Sequence, residues 1–227
     1  MKMCLFVLAT AILFSVPAYS DSIYVLGTYV NPDGRSDIFE QNHIETTFDS
    51  GELDKFGATF GYDHFIGEYV NIGGSLTYYK DDASAQDRAF LTPGGAPVRR
   101  DFRLKIIPLE FNASVLPMRR GQIIVPFIGA GVGFYRWEYE EAGDFVVNRD
   151  SDPRVITGLA SSDGTNFGYH TYGGVHIQFW RSAVFTAQVK HFNLEPDLED
   201  DLFDRFEPID LSSYAYSFGI SFWFSGR

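Results

Sequence analysis

Cysteine is almost absent. The one thiol in 227 residues is Cys4, which excludes a disulfide framework, a Cys-based metal centre and thiol redox chemistry. Basic residues are scarce too, 18 Lys and Arg against 30 Asp and Glu. The resulting charge of −12 disfavours nucleic acid as a partner, because holding phosphate requires clustered Lys and Arg. Past residue 16 no apolar run has the length of a membrane-spanning helix. No internal repeat, heptad pattern or low-complexity linker divides the chain either. What is plentiful is aromatic: 22 Phe and 13 Tyr, beside 22 Gly. That mixture belongs to strands rather than helices. At 45% apolar and 21% charged residues, the chain is that of a folded protein.

The N-terminus has a different character. Lys2 precedes an apolar run over residues 4–16, and Ala18 and Ser20 put small side chains at the −3 and −1 positions of a cleavage site. This pattern predicts a secretory signal peptide over residues 1–20, with a single domain over 21–227. Cleavage would remove Cys4, and a lipid anchor, which needs its cysteine at the cut, is not expected.

Apolar alternation with a period of two then recurs along the chain. At the C-terminal end Tyr214, Tyr216, Phe218, Ile220, Phe222 and Phe224 alternate with mostly small residues. Phe167 to Phe179 split the same way, and such a period means strands. The pattern predicts strands near 23–31, 53–63, 68–79, 102–116, 123–137, 166–179, 183–193 and 212–224. Short links at 64–67, 117–122 and 180–182 alternate with long polar stretches at 32–52, 80–101, 138–165 and 194–211. Tight turns at one rim and long loops at the other predict an all-β fold, an eight-stranded antiparallel up-and-down transmembrane β-barrel.

Alternation alone does not separate this from a soluble barrel around an apolar cavity. The less apolar face decides. It reads Gly57, Thr59 and Gly61, then Asn71, Gly73, Ser75 and Thr77, then Gly129, Gly131 and Gly133. Small, weakly charged residues suit a crowded lumen, so the aromatic face turns to lipid. Aromatic residues at the strand ends (Tyr62 and Phe65, Tyr78 and Tyr79, Tyr135 and Trp137, Phe179 and Trp180, Tyr214 and Phe224) are expected to form interfacial girdles. In strand 4 the parity of Arg103 and Lys105 is taken over by apolar Leu109, Phe111, Ala113 and Val115. One extra residue near Ile107-Pro108, a β-bulge, would restore a single polar face.

Pro126, Phe127, Gly129, Gly131, Gly133 and Phe134-Tyr135 resemble the Pro-aromatic-x-Gly-x-Gly-x-Gly-aromatic strand of the bacterial outer-membrane β-barrel domain family, which includes small OmpA-, OmpX- and OmpW-like barrels. Pro108 to Phe111 and Phe167 to Val175 are similar to neighbouring strands of that family. The resemblance implies location in the bacterial outer membrane, contact with its lipids and lipopolysaccharide, and insertion by the outer-membrane assembly machinery. That machinery recognises an aromatic-ended last strand; here Ser225-Gly226-Arg227 follow Phe224.

With the bulge allowed, Lys55, Asp63, Arg103, Lys105, Glu110 and Lys190 share the inner face with His170 and His176. They are expected to form an ion-paired plug, since an eight-stranded barrel is only wide enough to be filled by side chains. Removing Glu110 should then loosen the plug and raise conductance. The glycines of residues 129–133 lack the helix that a dinucleotide fingerprint requires. His191 lies on a late strand, as in some outer-membrane lipid A deacylases, but Asn193 stands where their serine nucleophile would be. No Gly-x-Ser-x-Gly elbow is present. The acidic loop from Glu195 to Asp210 lacks the spacing of a dedicated calcium site. No enzyme activity, metal or cofactor is expected. The sequence leads to a structural or interaction protein with long outer loops, ahead of an OmpW-like conduit for small hydrophobic molecules and a lipid A-modifying enzyme.

Overall fold

In the computed structural model, described for residues 21–32, 36–49, 55–149, 151–196 and 208–224, eight strands close into one ring in chain order. They are β1 (Asp21–Pro32), β2 (Lys55–Ile66), β3 (Val70–Leu91), β4 (Pro97–Val115), β5 (Ile124–Val147), β6 (Arg154–Gln178), β7 (Ala183–Asn193) and β8 (Ser213–Phe224), with one helix, α1 (Asp37–Glu45), between β1 and β2. Every neighbouring pair is antiparallel, and β1 against β8 closes the barrel from Asp21↔Phe224 to Pro32↔Ser213. The signal-like residues 1–20 lie outside the described residues.

Period-two alternation puts Val25, Phe60, Ile72, Leu76, Phe111, Ile128, Val132, Phe167 and Phe218 on the outside, all exposed. Thr28, Thr59, Ser75, Asn112, Ser114 and Ser217 point inward and are buried. An unbroken apolar exterior around a polar interior is stable only against lipid. Roughly ten strand residues at about 3.3 Å each, tilted by about 40°, make a belt about 25 Å tall, matching a hydrocarbon core bounded by aromatics.

Above Tyr78, Ile107, Phe134 and Phe167 the same strands invert their chemistry. On β3 the outward residues become Lys80 and Asp82; on β4, Lys105 and Arg103; on β5, Arg136, Glu138 and Glu140; on β6, Asp163. The inward ones become Tyr79, Leu104, Ile106, Trp137 and Tyr139, all at most 1% exposed. Outside the lipid the outer face meets water and the inner face packs a core, so apolar and polar residues exchange sides without any change of register. This overturns the bulge expected near Pro108. The register is the same at Leu76↔Leu109 and at Tyr79↔Ile106 on one side, and pairing runs through Ile107↔Arg136, Pro108↔Tyr135 and Leu109↔Phe134 on the other.

Two further expectations need correcting. The stretches 80–101 and 138–165 are largely strand rather than loop. They carry β3 to β6 beyond the belt as a four-stranded wall, with β5↔β6 pairing reaching Val147↔Arg154. The girdle also loses members. Tyr78, Phe179, Trp180, Tyr214 and Phe224 are exposed, but Phe65, Tyr79, Tyr135 and Trp137 are buried inside the barrel.

Candidate functional site: the filled lumen and its outer cap

Three layers fill the barrel. The middle layer centres on Glu110, which the continuous register of β4 aims inward. Its Oε2 accepts from Lys190 Nζ of β7 and, at 2.7 Å, from Ser75 Oγ of β3. Its Oε1 accepts from the Tyr135 hydroxyl at 3.2 Å. That hydroxyl also lies 3.1 Å from His170 Nδ1, and His170 Nε2 is 2.7 Å from Asn112 Oδ1. Asn112 Nδ2 donates to Ser75 Oγ at 3.1 Å and closes the circuit. His170 Nε2 donates to Asn112 Oδ1, and the single Tyr135 O–H can serve Glu110 Oε1 or His170 Nδ1 but not both at once. Five strands are cross-linked around one carboxylate whose charge Lys190 neutralises. The glycines of residues 129–133 make room for this layer. A Cβ on Gly129 would overlap Tyr172 and the Ala113 carbonyl, one on Gly131 would overlap His170 and the Phe111 carbonyl, and one on Gly133 would press on Glu110 and the Leu109 carbonyl. A ladder of Ser217, Thr28, Thr59 and Thr77 hydroxyls at 2.7–2.9 Å ties the opposite wall.

The lower layer is aromatic. Phe127 stacks on His176 at 4.4 Å, Trp223 meets His176 edge-on at 5.3 Å, and Phe65 meets Trp223 at 5.7 Å. His176 Nδ1 bonds Thr186 Oγ1 at 2.9 Å. Arg120, in the turn after β4, lays its guanidinium 4.1 Å from the Phe65 ring and covers this end. Among the described residues, two cavities of about 20 Å³ lie between the layers, each with room for a water molecule or two rather than a solute.

The upper layer is an apolar core capped by α1. Asp37 and Glu40 fall in the first helical turn and His43 in the last, where the helix dipole favours each charge. Ile38, Phe39 and Asn42 form its buried face. Phe39 meets Tyr139 edge-on at 5.9 Å, and Phe48 beyond the helix lies 4.4 Å from Phe102. Polar bonds fix the helix to the wall. Glu141 accepts from Asn42 Nδ2 and Tyr139 OH, both at 2.8 Å, and from Arg100 at 3.3 Å. Arg100 also donates to Asn42 Oδ1 at 2.9 Å. Arg149, at the β5–β6 tip, reaches Glu45 of the helix at 3.1 Å and pairs with Asp87 of β3. This clamp lies beyond the lipid belt. Burial pushes the Glu141 carboxyl above its usual range, against the pull of Arg100, and burial beside Glu141 raises Tyr139 well above a normal phenol.

The residues singled out in the sequence fall in different places. Glu110, Lys190 and His170 meet in one network. His176 belongs to the lower layer. Asp63 faces the lower cavity, with Asn71 and Tyr172 also in its lining. Arg103 and Lys105 are not in the lumen. With no bulge they point outward, where Arg103 pairs with Asp82 at 2.5 Å and Glu140 at 2.6 Å, and Lys105 with Glu138 at 3.0 Å. The Lys55 side chain and most of the acidic loop, residues 197–207, lie outside the described residues. His191 packs against Tyr214 at 4.6 Å on the outer wall. Among the described residues no cluster of His, Cys, Asp and Glu is arranged to hold a metal ion. Sequence reasoning missed Tyr135, although its parity with Gly133 and Gly131 assigns it to the lumen, and it missed the whole cap.

Neither protein-family models nor curated protein sequences give a match to this chain. Solved structures do. The Neisserial surface protein A superposes with a TM-score of 0.51 at 12% identity, over 89% of this chain and 96% of that one. The outer membrane protein OprG of Pseudomonas aeruginosa gives 0.54 at 13%, over 92% and 97%. At such identities the likeness is one of fold. The chain is an eight-stranded transmembrane β-barrel of the architecture found in small bacterial outer-membrane proteins.

Proposed function

We propose that this protein is an outer-membrane barrel of structural or interaction type, exported through the signal at residues 1–20 and carrying neither a conducting pore nor a catalytic centre. The observation behind this reading is the lumen, closed by three side-chain layers with gaps of only about 20 Å³. The remaining features direct function outward: a wall of four strands rising above the belt, and a helix held firmly over the mouth. The exposed aromatic end of β8 at Phe224 is what the outer-membrane assembly machinery would engage during insertion. In cells the folded protein is expected in the outer-membrane fraction, migrating anomalously on gels unless boiled. In planar bilayers it should give no stepwise conductance, and in liposomes no faster entry of small hydrophobic solutes. Rapid solute entry would replace this reading with an OmpW-like conduit. A changed lipid A mass profile on expression would point instead to lipid-modifying chemistry.

A further inference from the structure

Charge does not balance around the lower cavity of the barrel. Asp63 of β2 lines that space, and among the described residues its carboxylate makes no ion pair and no hydrogen bond. The cations of the lumen are engaged elsewhere. Lys190, which lines the same cavity, is paired with Glu110. Arg120 lays its guanidinium against the rings of Phe65 and Trp223, at the end of the barrel. Lys55 stands eight residues further up β2, about 26 Å away at the usual strand rise. His176 bonds Thr186 through Nδ1, stacks on Phe127 and forms no ion pair with Asp63. One negative charge is thus left over, and a charge held away from bulk water without a partner is strongly unfavourable. The space beside it has the size and the donors for a small ion. It holds about 20 Å³, with Tyr24, Asn71, Ser114, Tyr172 and Gln188 around it. Ser114 Oγ donates its proton to Asn71 Oδ1 at 2.6 Å, which leaves it an acceptor toward any further group. Glycines let the donors lie close to the wall. A Cβ on Gly73 would overlap Asp63 Oδ1, and one on Gly61 would overlap the Tyr24 ring and hydroxyl.

We infer that Asp63 and the oxygens around it form a site for one monovalent cation, sodium. Hard cations take oxygen ligands, and the charge of the ligand set decides which ion is held. One carboxylate neutralises one positive charge. A divalent ion would leave an excess of the opposite sign in the same poorly solvated space. A single carboxylate amid neutral oxygens is also why the site contains no cluster of acidic and imidazole groups. The ion ties β1 and β2, through Tyr24 and Asp63, to Asn71 of β3 and Ser114 of β4. Strands β1 and β2 are the ones that the Glu110 network does not reach along this wall.

The test is reversible urea unfolding of the refolded barrel in detergent micelles at mildly alkaline pH. Sodium chloride is exchanged for N-methylglucamine chloride at fixed ionic strength. An ion that binds only the folded state stabilises it by mass action. For the wild type the folded-to-unfolded ratio should rise about tenfold between about 5 and about 150 mM sodium, as for one site with a Kd of about 10 mM. In Asp63→Asn the same change should be less than about twofold. Without sodium that variant should be at least as stable as the wild type, since no charge is left uncompensated. Ser114→Ala keeps the carboxylate but loses an oxygen, so it should need about threefold more sodium for the same gain. A merely structural effect of that change would lower stability equally at every sodium concentration. Equal sodium responses in the wild type and Asp63→Asn would place the ion elsewhere and overturn the site. A wild type indifferent to sodium would mean that Asp63 is met by a proton or by water alone, and overturns it too. Should Asp63→Asn fail to fold, Ser114→Ala decides, and an unchanged sodium midpoint in that barrel overturns the site. The readout is barrel stability, so the result does not depend on what the outer face engages.

Discussion

At the scale of single residues, the lumen follows the rule that a buried charge is tolerated when it is paired and hydrogen-bonded. Glu110 has its cation in Lys190 and two neutral donors in Ser75 and Tyr135. Lys190→Met should leave that carboxylate buried without a cation and cost about 3–5 kcal/mol in urea unfolding. The double change Glu110→Gln/Lys190→Met should recover most of the loss, because neither charge is left stranded. A double variant as unstable as the single one would remove the ion pair from the explanation. Strand 5 offers a second residue-scale test. Ala130 is exposed on the lipid face, whereas Gly131 faces His170. Ala130→Arg should cost about 2–4 kcal/mol by placing a charge in hydrocarbon. Gly131→Val should block folding by overlap with His170 and the Phe111 carbonyl. A spin label at position 130 that responds to water-soluble but not lipid-soluble quenchers would reverse inside and outside.

At the scale of elements, the belt portion of every strand was readable from alternation, because one solvent, lipid, faces one side over that whole length. The portions above the belt were not. Residues Arg103 to Ile107 show a change of polarity that a strand of constant surroundings could produce only by a bulge. The actual cause is a change of surroundings, since the outer face passes from lipid to water at Ile107 while the register continues. The helix α1 gave little sign of itself because its buried face is short and includes Asn42, a residue that earns its place only through Glu141 and Arg100 on a distant strand. That clamp makes an element-scale prediction. Glu141 faces Arg100, Asn42, Tyr139 and, through Arg100, Glu45. Its pKa is raised, so the folded cap favours the protonated form. Its contribution is fully present below the ordinary carboxylate range and is lost as pH rises through the raised value. Amide exchange in α1 should therefore slow as pH falls from neutrality toward that range, after correction for the intrinsic rate. Glu141→Gln should slow it at neutral pH and remove the dependence. Asp82 and Glu138, held below the usual range by Arg103 and Lys105, act with the opposite sign and only at lower pH. Faster corrected exchange on mild acidification would mean that Arg100 outweighs burial at Glu141.

At the scale of the whole molecule, the three layers are built from different chemistry and from different stretches of chain. The upper layer is an apolar core under α1, the middle one an ion-paired network, and the lower one a set of stacked rings under Arg120. A plug held by charge pairing around Glu110, as the sequence alone suggested, would loosen when that carboxylate is removed. Layers in series behave otherwise, because a solute must pass all of them. Glu110→Ala removes the carboxylate that joins Ser75, Tyr135 and Lys190 and leaves Lys190 buried without its anion, so barrel stability should fall by about 3–5 kcal/mol. The apolar core under α1 above, and the rings of Phe65, Phe127 and Trp223 under Arg120 below, are separate clusters that continue to close the ends. The expected result is a barrel that unfolds at lower urea yet stays silent in planar bilayers. Conductance should appear only when the lower ring is also cut back, for instance by adding Arg120→Ala and Trp223→Ala, and the cap is released by Arg149→Ala. Stepwise currents from Glu110→Ala alone would show that the apolar layers are permeable and that the middle network is the true seal, and the closed-lumen account of this protein would then have to be given up.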